Sequence, residues 1–189
     1  MKNTKEFKRR AWQEEANQKD NFETGEHIIS SCNATIGSGK TVLPGDKFAK
    51  FILMFHKFVT VQFFVVPWNS LFDQQVIAIK EHLKDVYGMI SDDPEDGGND
   101  YHIVRINCEN HTFDRKNNHL NGHNIFFINE KSLWGTDSKA EDPNFRWHLW
   151  LRNFRNWDRD GARFGECFLD EAHNYHHNVA KIFDPSILK

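Results

Sequence analysis

Cysteine is scarce in this chain. Cys32, Cys108 and Cys167 are scattered over 189 residues. An odd and dispersed set offers no disulfide framework and fits a reduced, cytoplasmic compartment. Long apolar runs are missing as well. The densest, residues 51–55 and 63–67, fall far short of the ~20 residues that cross a bilayer, so no membrane partner is expected. Residues 1–10 are charged and lack the apolar core of a secretion signal. Charge of one sign is also lacking. The formal net charge is −3, so the chain as a whole is no electrostatic binder of nucleic acid, and any such contact must come from a local surface. Internal repeats and low-complexity segments are absent.

Aromatic residues are what the chain does have. Seventeen Phe and six Trp raise the aromatic share to 14%, within a hydrophobic content of 39%. That is a folded composition, and the length suits one α/β domain. Residues 60–66 form a dense β-branched and aromatic run, as expected of a strand buried on both faces of a parallel sheet. Further strands are expected over 27–33, 101–107, 124–129 and 166–170. Helices are expected over 5–19 and 145–157. Another should open at Ser70, capped with the help of Asp73, and bury Phe72, Val76, Ile79, Leu83 and Val86. Residues 91–99 read as an acidic solvated loop. Strands alternating with helices imply a mostly parallel sheet with right-handed crossovers.

Two short runs carry the chemistry. Ala34-Thr35-Ile36-Gly37-Ser38-Gly39-Lys40-Thr41 has the spacing of a phosphate-binding loop, with Ala34 where Gly usually begins it. Gly37, Ser38 and Gly39 would let backbone N–H groups curl around phosphate oxygens. Lys40 would add a mobile charge for the β- and γ-phosphates, and the Thr41 hydroxyl would ligate Mg²⁺. Far downstream, an apolar strand ends in Asp170-Glu171-Ala172-His173. Asp170 would complete the Mg²⁺ site, and Glu171 would position and deprotonate the attacking water. Pro44-Gly45 follows the loop within one turn. A break is expected there, with a second helix over 46–58.

With these runs in place, the chain resembles the first RecA-like domain of a superfamily-two helicase or translocase, including the motor subunits of restriction enzymes. The resemblance implies a three-layer P-loop NTPase fold spanning residues 1–189, with ATP and Mg²⁺ as ligands. Arg10-Ala11-Trp12-Gln13-Glu14-Glu15-Ala16 resembles the segment whose Gln reads the adenine edge, which makes Gln13 the base contact. Val65-Val66-Pro67-Trp68-Asn69-Ser70-Leu71 resembles the strand-end motif that touches the nucleic-acid backbone, with Trp68-Asn69 replacing the usual Thr-Arg. Asn129-Glu130-Lys131-Ser132-Leu133 stands where another backbone-contacting loop is placed. A nucleic-acid partner is therefore implied at Pro67, Trp68, Asn69 and Ser132, with DNA favoured over RNA. The family needs a second RecA-like domain or subunit to supply arginine fingers. The chain holds no later Ser-Ala-Thr motif, so ATP hydrolysis is expected only when such a partner completes the site. A non-catalytic nucleotide-, nucleic-acid- or partner-binding module is the alternative.

Three side constellations stand apart from these motifs. Cys108, His111, His119 and His123 have zinc-ligand chemistry in a polar segment that also suits a solvated loop. Trp147, Trp150, Phe154 and Trp157 fall at helical spacing, as a core stripe does. Arg152, Arg155, Arg159 and Arg163 read as a solvated helix face.

Overall fold

The computed structural model describes residues 9–18, 39–106, 120–130, 132 and 145–171. The expected strand over 27–33, Gly37, Ser38, Cys108, His111, His119, Lys131, Leu133 and His173 lie outside the described residues. Four strands pair in parallel: β1 (Thr60–Val66), β2 (His102–Ile106), β3 (His123–Asn129) and β4 (Arg163–Leu169), in the order β2-β3-β1-β4. Among the described residues four helices accompany them: α1 (Ala11–Gln18), α2 (Val42–Met54), α3 (Asn69–Tyr87) and α4 (Phe145–Arg159); Arg163, expected on the helix face, instead opens β4. The architecture is α/β.

The alternation of strand side chains explains the layers. On β1, Phe64 and Val66 join Ile125 and Phe127 of β3 under α2 and α3, where Phe48, Ile52, Phe72, Val76, Ile79 and Leu83 meet them. Val61 and Val65 face the other way, with Phe126 and Ile128, toward Trp157 of α4. Phe154 packs edge-on against Phe63 at 5.3 Å, so the α4 aromatic stripe is core at both positions whose side chains are described. Both faces of β1 and β3 are covered, as their unbroken apolar runs require.

In sequence, α3 lies between β1 and β2, and α4 lies between β3 and β4. The two crossings run in opposite directions along the sheet and use opposite faces, so they share one hand. Neighbouring β1 and β3 are therefore followed by helices on opposite faces. In open parallel sheets, the C-terminal ends of strands at such a switch are where ligands generally bind.

Three local expectations are corrected. The first concerns Pro44-Gly45: α2 runs unbroken from Val42 to Met54 and does not extend to residue 58. Pro44 is the third helical residue, where its missing N–H has no intrahelical acceptor to lose. Gly45 then makes an i→i−4 bond to the Thr41 carbonyl at 3.5 Å. Its missing side chain has a steric reason, since a Cβ there would lie 2.5 Å from His82 Cδ2 of α3. The second concerns α3, which opens at Asn69 after Trp68 with no side-chain cap, so the Ser70/Asp73 capping box does not form.

The third concerns the acidic segment, which is organised rather than simply solvated. Lys80 of α3 reaches Asp93 and Asp96, both at 2.8 Å, and Arg105 of β2 reaches Asp93 at 3.0 Å. The Lys80 ammonium holds both carboxyls below their ordinary value, with the Ser91 hydroxyl adding to the effect at Asp96. A depressed folded-state value stabilises the fold above the unfolded value and loses that stabilisation as pH falls through it. Lys80→Met is thus expected to cost about 1 kcal/mol at pH 7, with the difference from wild type shrinking below about pH 4. Urea unfolding of both proteins from pH 7 to 3 checks this. A constant difference would show that the lysine acts through packing.

β4 carries one extra residue opposite β1: Val61 pairs with Phe164, but Phe63 pairs with Cys167. This bulge turns both Gly165 and Glu166 toward α2. A Cβ on Gly165 would lie 2.9 Å from Phe51 and Gln62 side-chain atoms. Glu166 meets the buried Lys47 at 3.5 Å. Burial pushes the Glu166 carboxyl up and the Lys47 ammonium down. Past the bulge the strand regains its alternation, so Phe168 packs under α2 and Leu169 under α4. Burial pushes the thiol of Cys167 up to about 12.

Candidate functional site

The two nucleotide motifs, 130 positions apart in sequence, meet at the C-terminal edge of the sheet. Gly39 sits at φ 80°, in the left-handed region open to glycine. Its carbonyl accepts the Val42 N–H at 3.2 Å, which starts α2 directly behind Lys40 and Thr41. From the other side of the sheet edge, the Asp170 N–H extends the β1–β4 ladder to the Val65 carbonyl at 3.0 Å. Glu171 then turns at φ 52°, a left-handed conformation that costs a residue with a Cβ. The turn brings its carboxylate 3.8 Å from Lys40 Nζ. Both side chains stay about a third exposed or more, at 40% for Lys40 and 32% for Glu171, so the pair is loose.

Thr41 and Asp170 are joined by a residue that sequence reasoning missed. The Thr41 hydroxyl donates to Gln75 Oε1 at 3.2 Å, and Gln75 Nε2 donates to Asp170 Oδ2 at 3.0 Å. Asp170 is half-buried. Burial and the neighbouring Glu171 push its carboxyl up, while Lys40, the Glu171 N–H and Gln75 oppose the rise. These are hard oxygen donors, a hydroxyl and a carboxylate tied to the two ends of one carboxamide. Such a pair suits Mg²⁺, which binds through one or two protein oxygens and fills its shell with water and phosphate.

Gln13 is buried, at 2% exposure. Its carbonyl accepts the Arg10 N–H at 2.8 Å, and its amide donates to the Gly39 carbonyl at 2.9 Å. The residue expected to read the base is therefore anchored on the loop expected to hold the phosphates. Just before α1, Arg9 binds Asp46 of α2 with both nitrogens of its fork, at 2.6 and 2.9 Å. Asp46 is fully buried and also accepts from Tyr87 at 2.8 Å, with His82 Nε2 2.7 Å away. Arg9, Asp46, His82 and Tyr87 thus clamp α1 to the helix that begins at the phosphate loop.

No family model, curated protein or solved structure matches the chain.

The remaining expected contacts are less gathered. Pro67 is buried at the end of β1, and Trp68 is 48% exposed beside it. Asn69 opens α3, and its side chain lies outside the described set. Ser132 is buried, and its hydroxyl has no partner among the described residues. Within this set, Trp68 is the side chain presented to solvent. His123 of the zinc constellation lies against the Thr60 hydroxyl at 3.0 Å. Among the described residues no group of three or more His, Cys, Asp or Glu is gathered for a metal, and no helix is long and apolar enough to cross a membrane.

Proposed function

We propose that the chain is the Mg-ATP-binding domain of a nucleic-acid motor of the superfamily-two type, with a P-loop NTPase fold. The observation that carries this reading is the meeting of Lys40 and Thr41 with Asp170 and Glu171 at one sheet edge. Neither run alone would specify a nucleotide. Together they bring Lys40 to within 3.8 Å of Glu171 and link Thr41 to Asp170 through Gln75, beside a helix N-terminus that favours anions.

In this reading the Gly39 turn and the start of α2 cradle the phosphates, and Lys40 leaves its loose pair with Glu171 to neutralise them. Mg²⁺, held through Thr41 and Asp170, would supply charge neutralisation at the β- and γ-oxygens. Glu171, released from Lys40, would take the proton of the attacking water. Gln13 would meet the adenine only after exchanging its bonds to the Arg10 N–H and the Gly39 carbonyl. Trp68 would offer a face on which a base of a single strand stacks. A second RecA-like domain or subunit would add the arginines that stabilise the transferring phosphoryl group.

Nucleotide binding and ATP turnover, with and without single-stranded DNA or RNA, test the reading. Glu171→Gln is expected to keep ATP affinity and to lower any turnover by about 10²–10⁴-fold, the usual contribution of a general base. Equal turnover in Glu171→Gln would remove Glu171 from that role. ATP binding without turnover, with or without nucleic acid, would favour the non-catalytic module. No ATP binding would remove the nucleotide reading altogether.

A further inference from the structure

Resting on the Mg-ATP reading, we infer that Gln75 is a positioning residue for the divalent cation, setting Thr41 and Asp170 in ligating geometry before the cation arrives. Gln75 lies in the second turn of α3, outside both nucleotide motifs. Its carboxamide is the described link between the two expected ligands, 3.2 Å from the Thr41 hydroxyl and 3.0 Å from Asp170 Oδ2.

The donor directions give the link its meaning. A hydroxyl has one proton and two lone pairs. The proton of Thr41 is spent on the Gln75 carbonyl, so the lone pairs are the part of the group left for a cation. The amide N–H of Gln75 in turn fixes one oxygen of Asp170, at 3.0 Å. One side chain therefore sets the rotor of the hydroxyl and the rotation of the carboxylate. Groups that orient metal ligands in this way typically change metal affinity by about 10–100-fold when removed.

α3 makes the arrangement rigid. Phe72, Val76 and Ile79 are buried in the core under β1 and β3. Gln75 stands beside Phe72 and Val76 on that helix, so its backbone is fixed by the packing of the sheet.

The test uses the full chain and Mn²⁺ as the probe, followed by electron paramagnetic resonance with ADP present. Metal-free ADP affinity is measured separately in EDTA. Gln75→Met keeps the length and helix preference of the side chain but carries no hydrogen bond. Gln75→Ala serves as the second variant should methionine perturb folding. The expected result is an Mn²⁺ affinity lower by about tenfold or more, with metal-free ADP affinity unchanged. A merely structural role would lower both together or neither, and either pattern would overturn the inference. Unchanged Mn²⁺ affinity in both variants would do so while leaving the Mg-ATP reading intact. Failure of the wild-type chain to bind Mn²⁺ or ADP at all would overturn both.

Discussion

Replacing Lys40 by alanine is expected to weaken Mg-ATP binding by about 100-fold and to leave the fold intact. The first half follows from charge: hydrogen bonds to charged groups contribute about 1.5–3 kcal/mol, and a loss near the top of that range is about 100-fold in affinity. The second half follows from the surroundings. The Lys40 side chain is 40% exposed, and its ion pair with Glu171, at 3.8 Å, is loose. Such pairs contribute from nothing to about 1 kcal/mol. Isothermal titration with ATP and with ADP, beside urea unfolding of both proteins, separates the two effects. Unchanged affinity would defeat the phosphate-loop assignment. Affinity lost together with stability would mean that the substitution acts on the fold, and the assignment would then lack its main support.

The central strands β1 and β3 were legible because they are buried on both faces. Residues 60–66 match β1 at both ends, since an unbroken β-branched and aromatic run, stopped by Pro67, leaves little choice. The meeting of Lys40 with Glu171 was legible from motif chemistry alone. The continuity of α2 was not. Pro44 is harmless because of where the helix begins, and Gly45 is accommodated because His82 of another helix fills its side-chain space. Neither fact has a local sequence signal. Gln75 was missed for a related reason. It follows Phe72 by three positions, one turn along the buried face, but a single glutamine beside an apolar stripe reads as surface. The Arg9–Asp46–Tyr87 network spans separations of 37, 41 and 78 residues. No spacing rule connects such positions; only the packing of α1 and α3 on α2 does.

That network carries the largest expected effect on stability. Asp46→Ala should lower the unfolding free energy by about 3 kcal/mol, the lower end of the range for breaking a buried ion pair. Asp46 is fully buried, so its removal leaves the Tyr87 hydroxyl and His82 facing a void. The Arg9 side chain is 26% exposed and reaches water by a small rotation, which keeps the loss from being larger. Asp46→Asn keeps the volume and one acceptor, and should cost less. Urea unfolding of Asp46→Ala, Arg9→Met and the double variant gives the coupling between the two groups. A coupling near zero would mean that Asp46 acts through Tyr87 and His82 rather than through Arg9. The coupling also bears on the site. α1 is held at one end by Arg9 on Asp46 and within its first turn by Gln13 on the Gly39 carbonyl. Arg9→Met removes the first anchor and leaves the phosphate loop untouched. Faster hydrogen exchange confined to the α1 amides, with α2 unchanged, is the expected signature. Exchange spreading into α2 would show that the clamp supports the loop helix itself, and that the position of Lys40 depends on Arg9.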